Sequence, residues 1–155
     1  MKKLLFGLLV LLSSSGHAFY LSDFEGKYSL FENHGDGGQF TPKCLNYLVV
    51  EYYEDKSSVR VSFAENNTMT TGHYFQNINY GKYTIGGPGT YDTQFNGEKI
   101  VEKYRVGSYL NFSKFRRNTT LHLAGKDMII FSIKSNEGQD MKCIYVNWPN
   151  PHSPL

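Results

Sequence analysis

Beyond residue 25 the apolar positions come in short stretches that alternate with polar ones, and Val, Ile, Thr, Tyr and Phe are prominent in them. Alternation with a period of two puts one set of side chains on a buried face and the other in water, the signature of a half-buried strand. In the stretch 46–54, Leu48, Val50 and Tyr52 share one face, and in 58–64 Val59, Val61 and Phe63 alternate with Arg60 and Ser62. Glu54, Asp55, Lys56 and Ser57 between them make a polar reverse turn. Further strands are expected at 26–32, 73–80, 90–95, 98–106, 108–116, 119–124, 127–133 and 140–148. Asn96 and Gly97 give the strongest two-residue hairpin signal. No long stretch carries the periodicity of an amphipathic helix. The pattern predicts an all-β fold, an antiparallel up-and-down β-barrel of about eight to ten strands, because closure removes exposed edges. A two-sheet β-sandwich is the alternative.

A different pattern stands ahead of the strands. Met1, Lys2 and Lys3 precede an apolar run from Leu4 to Leu12, followed by Ser13 to Ser15 and the small-residue site Gly16, His17, Ala18. This is the layout of a secretory signal peptide, with cleavage expected after Ala18. The apolar run is far shorter than the roughly 20 residues of a spanning helix, so no permanent membrane anchor is expected. The organisation read from the chain is therefore a signal peptide at 1–18, a single β-barrel domain at 19–148 and a Pro-rich tail at 149–155. The compact Lys-Lys start is of bacterial type, which places the product in the periplasm or outside the cell. Export means oxidising conditions, so Cys44 and Cys143, the only cysteines, are expected to form a disulfide.

Composition and charge narrow the function. With 40% hydrophobic and 19% charged residues, the chain is an ordinary globular one rather than a disordered one. The formal charge of +2 suggests a basic protein. Lys2 and Lys3 account for that excess, so the mature chain is neutral and has no electrostatic case for nucleic acid. Its charge is divided, with acidic groups in excess over 19–98 and basic groups over 99–155, including Lys114, Arg116 and Arg117.

Catalytic motifs are absent from the sequence. There is no nucleophile elbow, no phosphate-binding loop and no dinucleotide fingerprint, and the glycines at 86–89 need only backbone flexibility as their explanation. His34, His73, His122 and His152 form no pair at metal spacing, and the segment 33–38 is sufficiently explained as a flexible Gly-rich loop. No enzyme activity, metal or cofactor is expected. The aromatic content, 15%, is more informative: such side chains fill a β core, and some can line a concave pocket.

One position breaks an apolar face. Ile100, Glu102, Tyr104 and Val106 share a side of their strand, and the expected next strand sets Lys114 in phase with Leu110 and Phe112. With both faces inward, Glu102 and Lys114 must pair or meet a polar ligand. Turned outward, the strand would bury Lys99, Val101, Lys103 and Arg105, and at a barrel mouth Glu102 would stand in water. Tyr28, Tyr52, Phe63, Tyr104 and Phe112 are the candidate apolar walls of a ligand site, with Glu102 as its polar anchor.

Phe24, Glu25, Gly26, Lys27 and Tyr28, followed by a succession of short strands, resemble the Gly-x-Trp strand start of lipocalins, with Tyr28 at the position of the family's Trp. Thr90, Tyr91 and Asp92 have the composition of the family's Thr-Asp-Tyr loop in another order. The resemblance implies an exported eight-stranded barrel that binds a small hydrophobic molecule in its cup, with a cystine pinning the tail to the barrel. The function expected on this basis is an exported, non-enzymatic binding protein for a small apolar or amphipathic ligand. Thr71, Gly72, His73 and Tyr74 are similar to the Ser-Gly-x-x-Tyr inhibitory loop of small periplasmic lysozyme inhibitors, with the Gly-to-Tyr spacing one residue shorter. That likeness implies the alternative, a protein-binding or inhibitory module acting on an envelope or host protein through loops at 33–42 and 86–89.

Overall fold

Among the described residues ten strands form, seven of them within about two residues of where the alternation sets them. They are β1 (Gly26–His34), β2 (Tyr47–Tyr53), β3 (Ser58–Glu65), β4 (Thr68–Phe75), β5 (Lys82–Tyr83), β6 (Gly89–Phe95), β7 (Lys99–Val106), β8 (Arg116–Leu123), β9 (Met128–Ser135) and β10 (Met141–Asn147). The structure, a computed structural model, describes residues 19–35, 43–65, 68–85, 87, 89–107, 115–138 and 140–147. The segment 1–18, expected to be a signal peptide, the tail 149–155, Lys114 and Phe112 lie outside the described residues.

All pairings are antiparallel, and the strands lie in one sheet in the order β4-β3-β2-β1-β10-β9-β8-β7-β6-β5. The chain therefore runs up and down along two arms, which the β1–β10 pair joins. The sheet curls into a barrel that is not closed by hydrogen bonds: β4 and β5 stand at its two ends. They are neighbours in sequence but not in the ladder, and a seam runs between them. Full closure, expected from the need to remove edges, is replaced there by side-chain contacts.

Three elements differ from the sequence expectation, and one of them is the short β5, which no expected strand covers. The strand beside β7 is Arg116–Leu123, which sets Thr119 rather than a residue of 108–116 opposite Glu102. In β4 the strand begins at Thr68 and ends at Phe75, because Asn77 and Asn79 at positive φ take the chain into a turn. The register shifts between Val61 and Ser62, leaving Gly72 as an extra residue in β4. A Cβ at Gly72 would overlap the Phe63 ring, so glycine is what permits this approach. Thr71, Gly72, His73 and Tyr74 thus lie within a strand and not in a projecting loop.

One barrel end is capped. A 3-10 turn at Leu21–Phe24 is held by Asp23, whose Oδ2 accepts from the Tyr20 N–H at 2.7 Å, and it drives Phe24 fully into the core. The Phe24 ring meets Phe95 edge-on at 5.9 Å, and the Phe19 N–H donates to the Gly97 carbonyl at 2.8 Å. From here the core runs inward through Leu48, Val50, Val59, Val61, Ile100, Leu121 and Ile129, all essentially without exposure, to the rings of Phe63, Phe75, Phe131 and Tyr145. Each such side chain contributes about 1.5–3 kcal/mol relative to an exposed one.

The disulfide between Cys44 and Cys143 is present. Cys143 faces inward from β10, and Cys44 and Leu45 pack against the core, with the Tyr145 hydroxyl donating to the Leu45 carbonyl at 3.1 Å. The bridge therefore fastens the connection between β1 and β2 to the last strand, where the lipocalin resemblance implied a pinned tail.

Candidate functional site

The β6–β7 hairpin sets the register of the site. Its two-residue loop is Gly97-Glu98, with Gly97 at φ 85° and the Asn96 Oδ1 accepting from the Glu98 and Lys99 N–H groups at 3.2 and 3.0 Å. The Asn96 N–H donates back to the Lys99 carbonyl at 3.3 Å. This pairs Phe95 with Ile100, Thr93 with Glu102 and Tyr91 with Tyr104, all on the inner face. A loop centred on Asn96-Gly97 would have set Tyr91 against Glu102 instead. β8 then places Leu121, Thr119 and Arg117 against Ile100, Glu102 and Tyr104. The wall thus reads, from the capped end to the mouth, as an apolar layer, a polar layer and an aromatic layer.

Glu102 is the centre of the polar layer. It faces inward and is 2% exposed. Its Oε2 accepts from the Tyr83 and Thr93 hydroxyls, both at 3.3 Å, and these two hydroxyls lie 3.2 Å from one another. Its Oε1 lies 3.0 Å from His73 Nε2, yet neither atom has an aligned hydrogen bond among the described residues. The contact is one of proximity, without an aligned hydrogen bond. Thr119 Oγ1, in the register position opposite, is likewise buried without a hydrogen-bond partner among the described residues. His73 comes from β4 and Tyr83 from β5, so one carboxylate is touched from both edges of the open sheet.

The aromatic layer is continuous. Tyr83 stacks on Tyr91 at 5.5 Å, Tyr91 lies against Tyr104 at 4.5 Å, and Tyr104 meets Phe115 edge-on at 6.0 Å. The Arg117 guanidinium carbon stands 5.5 Å from the Tyr104 ring centre, and its Nε is buried with no hydrogen-bond partner among the described residues. A Cβ at Gly89 would overlap the Tyr104 ring, so the glycine at the start of β6 makes room for this stack. Burial, with the Glu102 charge adding to it, pushes the Tyr83 phenol up to about 12 despite the opposing bond to Thr93. Burial raises Tyr91 as well, helped by Tyr104 and Glu102 and opposed by Arg117.

The expected site residues separate. Glu102 and Tyr104 lie together on the inner face of β7. Phe63 belongs to the packed core, edge-on to Phe131 at 5.2 Å, and reaches the polar layer only through Phe131 and His73, whose rings are 6.3 Å apart. Tyr28 is a core residue near the capped end whose hydroxyl donates to the Phe24 carbonyl at 3.1 Å. Tyr52 lines a separate cleft of about 440 Å³ at the capped end with Tyr20, Leu21, Ser22, Glu54 and Phe95. Phe112 lies outside the described residues.

His73, Tyr83, Tyr91, Thr93, Arg117 and Thr119 enter the site although the sequence does not single them out for it. Thr93 and Tyr91 are within reach of hairpin counting from Gly97. His73 is not, because its contact crosses the seam and depends on the extra residue at Gly72. Spacing leaves the histidines unconnected, yet His34 lies 2.8 Å from Glu32 and His122 3.1 Å from Glu98, besides the His73–Glu102 contact. Among the described residues no group of three or more His, Cys, Asp or Glu side chains could hold a metal ion.

No family model and no curated protein sequence matches the chain. Among solved structures, the chain is similar to a mutant of the fluorescent protein UnaG, at 11% identity and a TM-score of 0.53, over 83% of this chain and 98% of that one. It also matches secretory abundant heat soluble protein 4 from Ramazzottius varieornatus, at 17% identity and a TM-score of 0.45, over 81% of this chain and 95% of that one. At such identities the likeness to UnaG is one of fold.

Proposed function

On this lipocalin-like, calycin-type barrel, we propose that the protein is an exported, non-enzymatic binding protein that holds a small apolar or amphipathic molecule against the inner wall of β5 to β8. Tyr104 is the apolar wall and Glu102 the polar anchor. One observation carries the reading: a carboxylate at 2% exposure keeps an oxygen without an aligned donor, beside a run of stacked tyrosines. A buried charge in that condition is costly unless a partner completes it. The signal-like start of the chain and the disulfide support export.

The His73–Glu102 contact does not favour catalysis. Both neighbouring hydroxyls, Tyr83 and Thr93, donate to the carboxylate, while the imidazole ring is packed against Phe75 at 4.5 Å. No hydroxyl among the described residues is hydrogen-bonded to the imidazole as a nucleophile would be.

Native mass spectrometry of the protein purified from its exporting cell tests the reading. The expected result is the chain beginning at Phe19, oxidised at its two cysteines, with a small molecule that Tyr104→Ala and Glu102→Gln fail to retain. A chain that carries no small molecule and takes up none from a panel of amphiphiles would overturn it.

A further inference from the structure

The outer face of the β7 to β9 wall carries cations for which the fold supplies too few anions. We propose that this face docks on an anionic lipid surface, whose headgroups meet Lys103, Arg105, Arg116 and Lys134 near the mouth of the barrel. The inference is independent of any molecule held inside.

The alternation that buries Glu102 and Thr119 turns Lys103, Arg105, Arg116 and Asn118 outward, and burial of Ile133 does the same for Lys134. The ladders fix their places. Arg105 lies directly opposite Arg116, and two residues nearer the capped end Lys103, Asn118 and Lys134 stand in one row across β7, β8 and β9. With strands about 4.8 Å apart and same-face residues about 7 Å apart along a strand, the four cations rise from a patch about 10 Å by 7 Å. Arg105, Arg116 and Lys134 are exposed.

Like charges directly opposite one another destabilise a sheet. Among the described residues none of the four cations forms an ion pair, the pairs being His34–Glu32, Arg60–Glu51, His73–Glu102 and His122–Glu98. Carboxylates near the patch are few. Asp92 stands between Lys103 and Lys82 in the same row, with its Oδ1 accepting from the Gln94 amide at 3.3 Å, and Asp140 accepts from the Ser135 N–H at 3.2 Å. The sequence between β7 and β8, 107–115, adds Lys114 and no acidic residue. The patch therefore keeps an excess of positive charge, and anionic headgroups brought against it relieve the repulsion and accept its N–H groups.

Two features favour a lipid surface over a nucleic-acid strand. The outward positions around the cations, Thr90, Val101, Asn118, Thr120 and Ser132, carry no ring on which bases could stack. Ile85, two residues beyond the end of β5 on the mouth side, is 50% exposed and offers an apolar side chain to the interface at the same end.

Co-sedimentation of the mature protein with vesicles tests this, using phosphatidylcholine alone and phosphatidylcholine mixed equally with phosphatidylglycerol. Binding to the mixed vesicles is expected to exceed binding to the neutral ones by about tenfold or more at low salt. Most of that advantage should be lost at about 1 M salt, where the Debye length is about 3 Å. Arg105→Gln and Arg116→Gln should each weaken binding about fivefold, and Lys134→Gln, on another strand, by a similar factor, so the test survives the misfolding of any one variant. Lys56→Gln with Lys126→Gln, exposed cations at the capped end, changes the net charge by as much as the two arginine variants together and should leave binding unchanged. Equal binding to both vesicles, an equal loss in the capped-end control, or full binding with Arg105 and Arg116 both replaced would overturn the proposal. So would tight binding to duplex DNA with the vesicles left free, which would give the patch to a polyanion instead. Each of these outcomes leaves the barrel interior untouched, so the ligand reading stands or falls separately.

Discussion

Two walls of the barrel are built alike and filled differently. The wall of β1 to β4, with β9 and β10, presents Leu48, Val50, Val59, Val61, Phe63, Ile129, Phe131, Ile133 and Tyr145 to the interior, and these side chains interlock. Facing them, the wall of β5 to β8 presents Ile100 and Leu121 to the same core and, one layer further along, Tyr83, Thr93, Glu102 and Thr119. Both have the alternation of a half-buried sheet. Buried polar atoms without an aligned partner occur on both, Ser29 Oγ, Ser62 Oγ and His73 Nε2 on the first wall and Glu102 Oε1, Arg117 Nε and Thr119 Oγ1 on the second, but among the described residues only the second buries a carboxylate. Stability is therefore expected mainly from the first wall and, under the proposed binding role, selectivity from the second.

Phe131→Ala tests this division most severely. The residue is fully buried between Phe63 and His73, and its loss should cost about 3–5 kcal/mol in denaturant unfolding, with the cavity included. A loss under about 1 kcal/mol would mean that the first wall is not the source of stability. Replacing both Cys44 and Cys143 by Ala comes next, at about 2–5 kcal/mol for a bridge spanning 99 positions, read from the same unfolding curves.

On the second wall the effects should be smaller in stability and larger in recognition. Gly89→Ala forces the Tyr104 ring aside, an overpacking worth about 1–3 kcal/mol, and it should weaken ligand binding beyond what the unfolding data account for. The gentlest probe is alkaline titration followed by tyrosinate absorbance. Tyr83 is raised to about 12 from 10.0, so the folded state keeps a proton that the unfolded state has lost. Stability from this group is complete below pH 10 and falls as pH rises through about 12. Tyr28, Tyr91 and Tyr145 are raised in the same direction by burial, so several tyrosines should titrate late or together with unfolding. A single early transition for all of them would remove the buried aromatic layer from the comparison.

Much of the fold is legible in the sequence because alternation is a local property. β2, β3, β6, β7, β9 and β10 fall within a residue or two of their expected bounds, and the Glu54 to Ser57 reverse turn is a 3-10 turn with Ser57 at φ 41°. Glu102 is also legible as an inward carboxylate, since the opposite face of its strand carries Lys99, Lys103 and Arg105. Its partners are less so. Strand phase pairs Lys114 with it, but β8 begins at Arg116 and brings Thr119 opposite. Moving a hairpin loop by one residue shifts every pair by two positions, which preserves the face and changes the neighbour.

By itself, then, the sequence determined most of the strands, their inward sides and the charge that one of them buries, because these follow from the period of the pleat and the cost of desolvation. Only the tertiary structure decided which groups meet that charge. His73 and Tyr83 reach Glu102 from opposite edges of a curled sheet, and nothing in the spacing of residues 73, 83 and 102 encodes the curl that brings them together. Contacts across a seam depend on sheet twist, on one extra residue at Gly72 and on the summed register of the ladders along each arm.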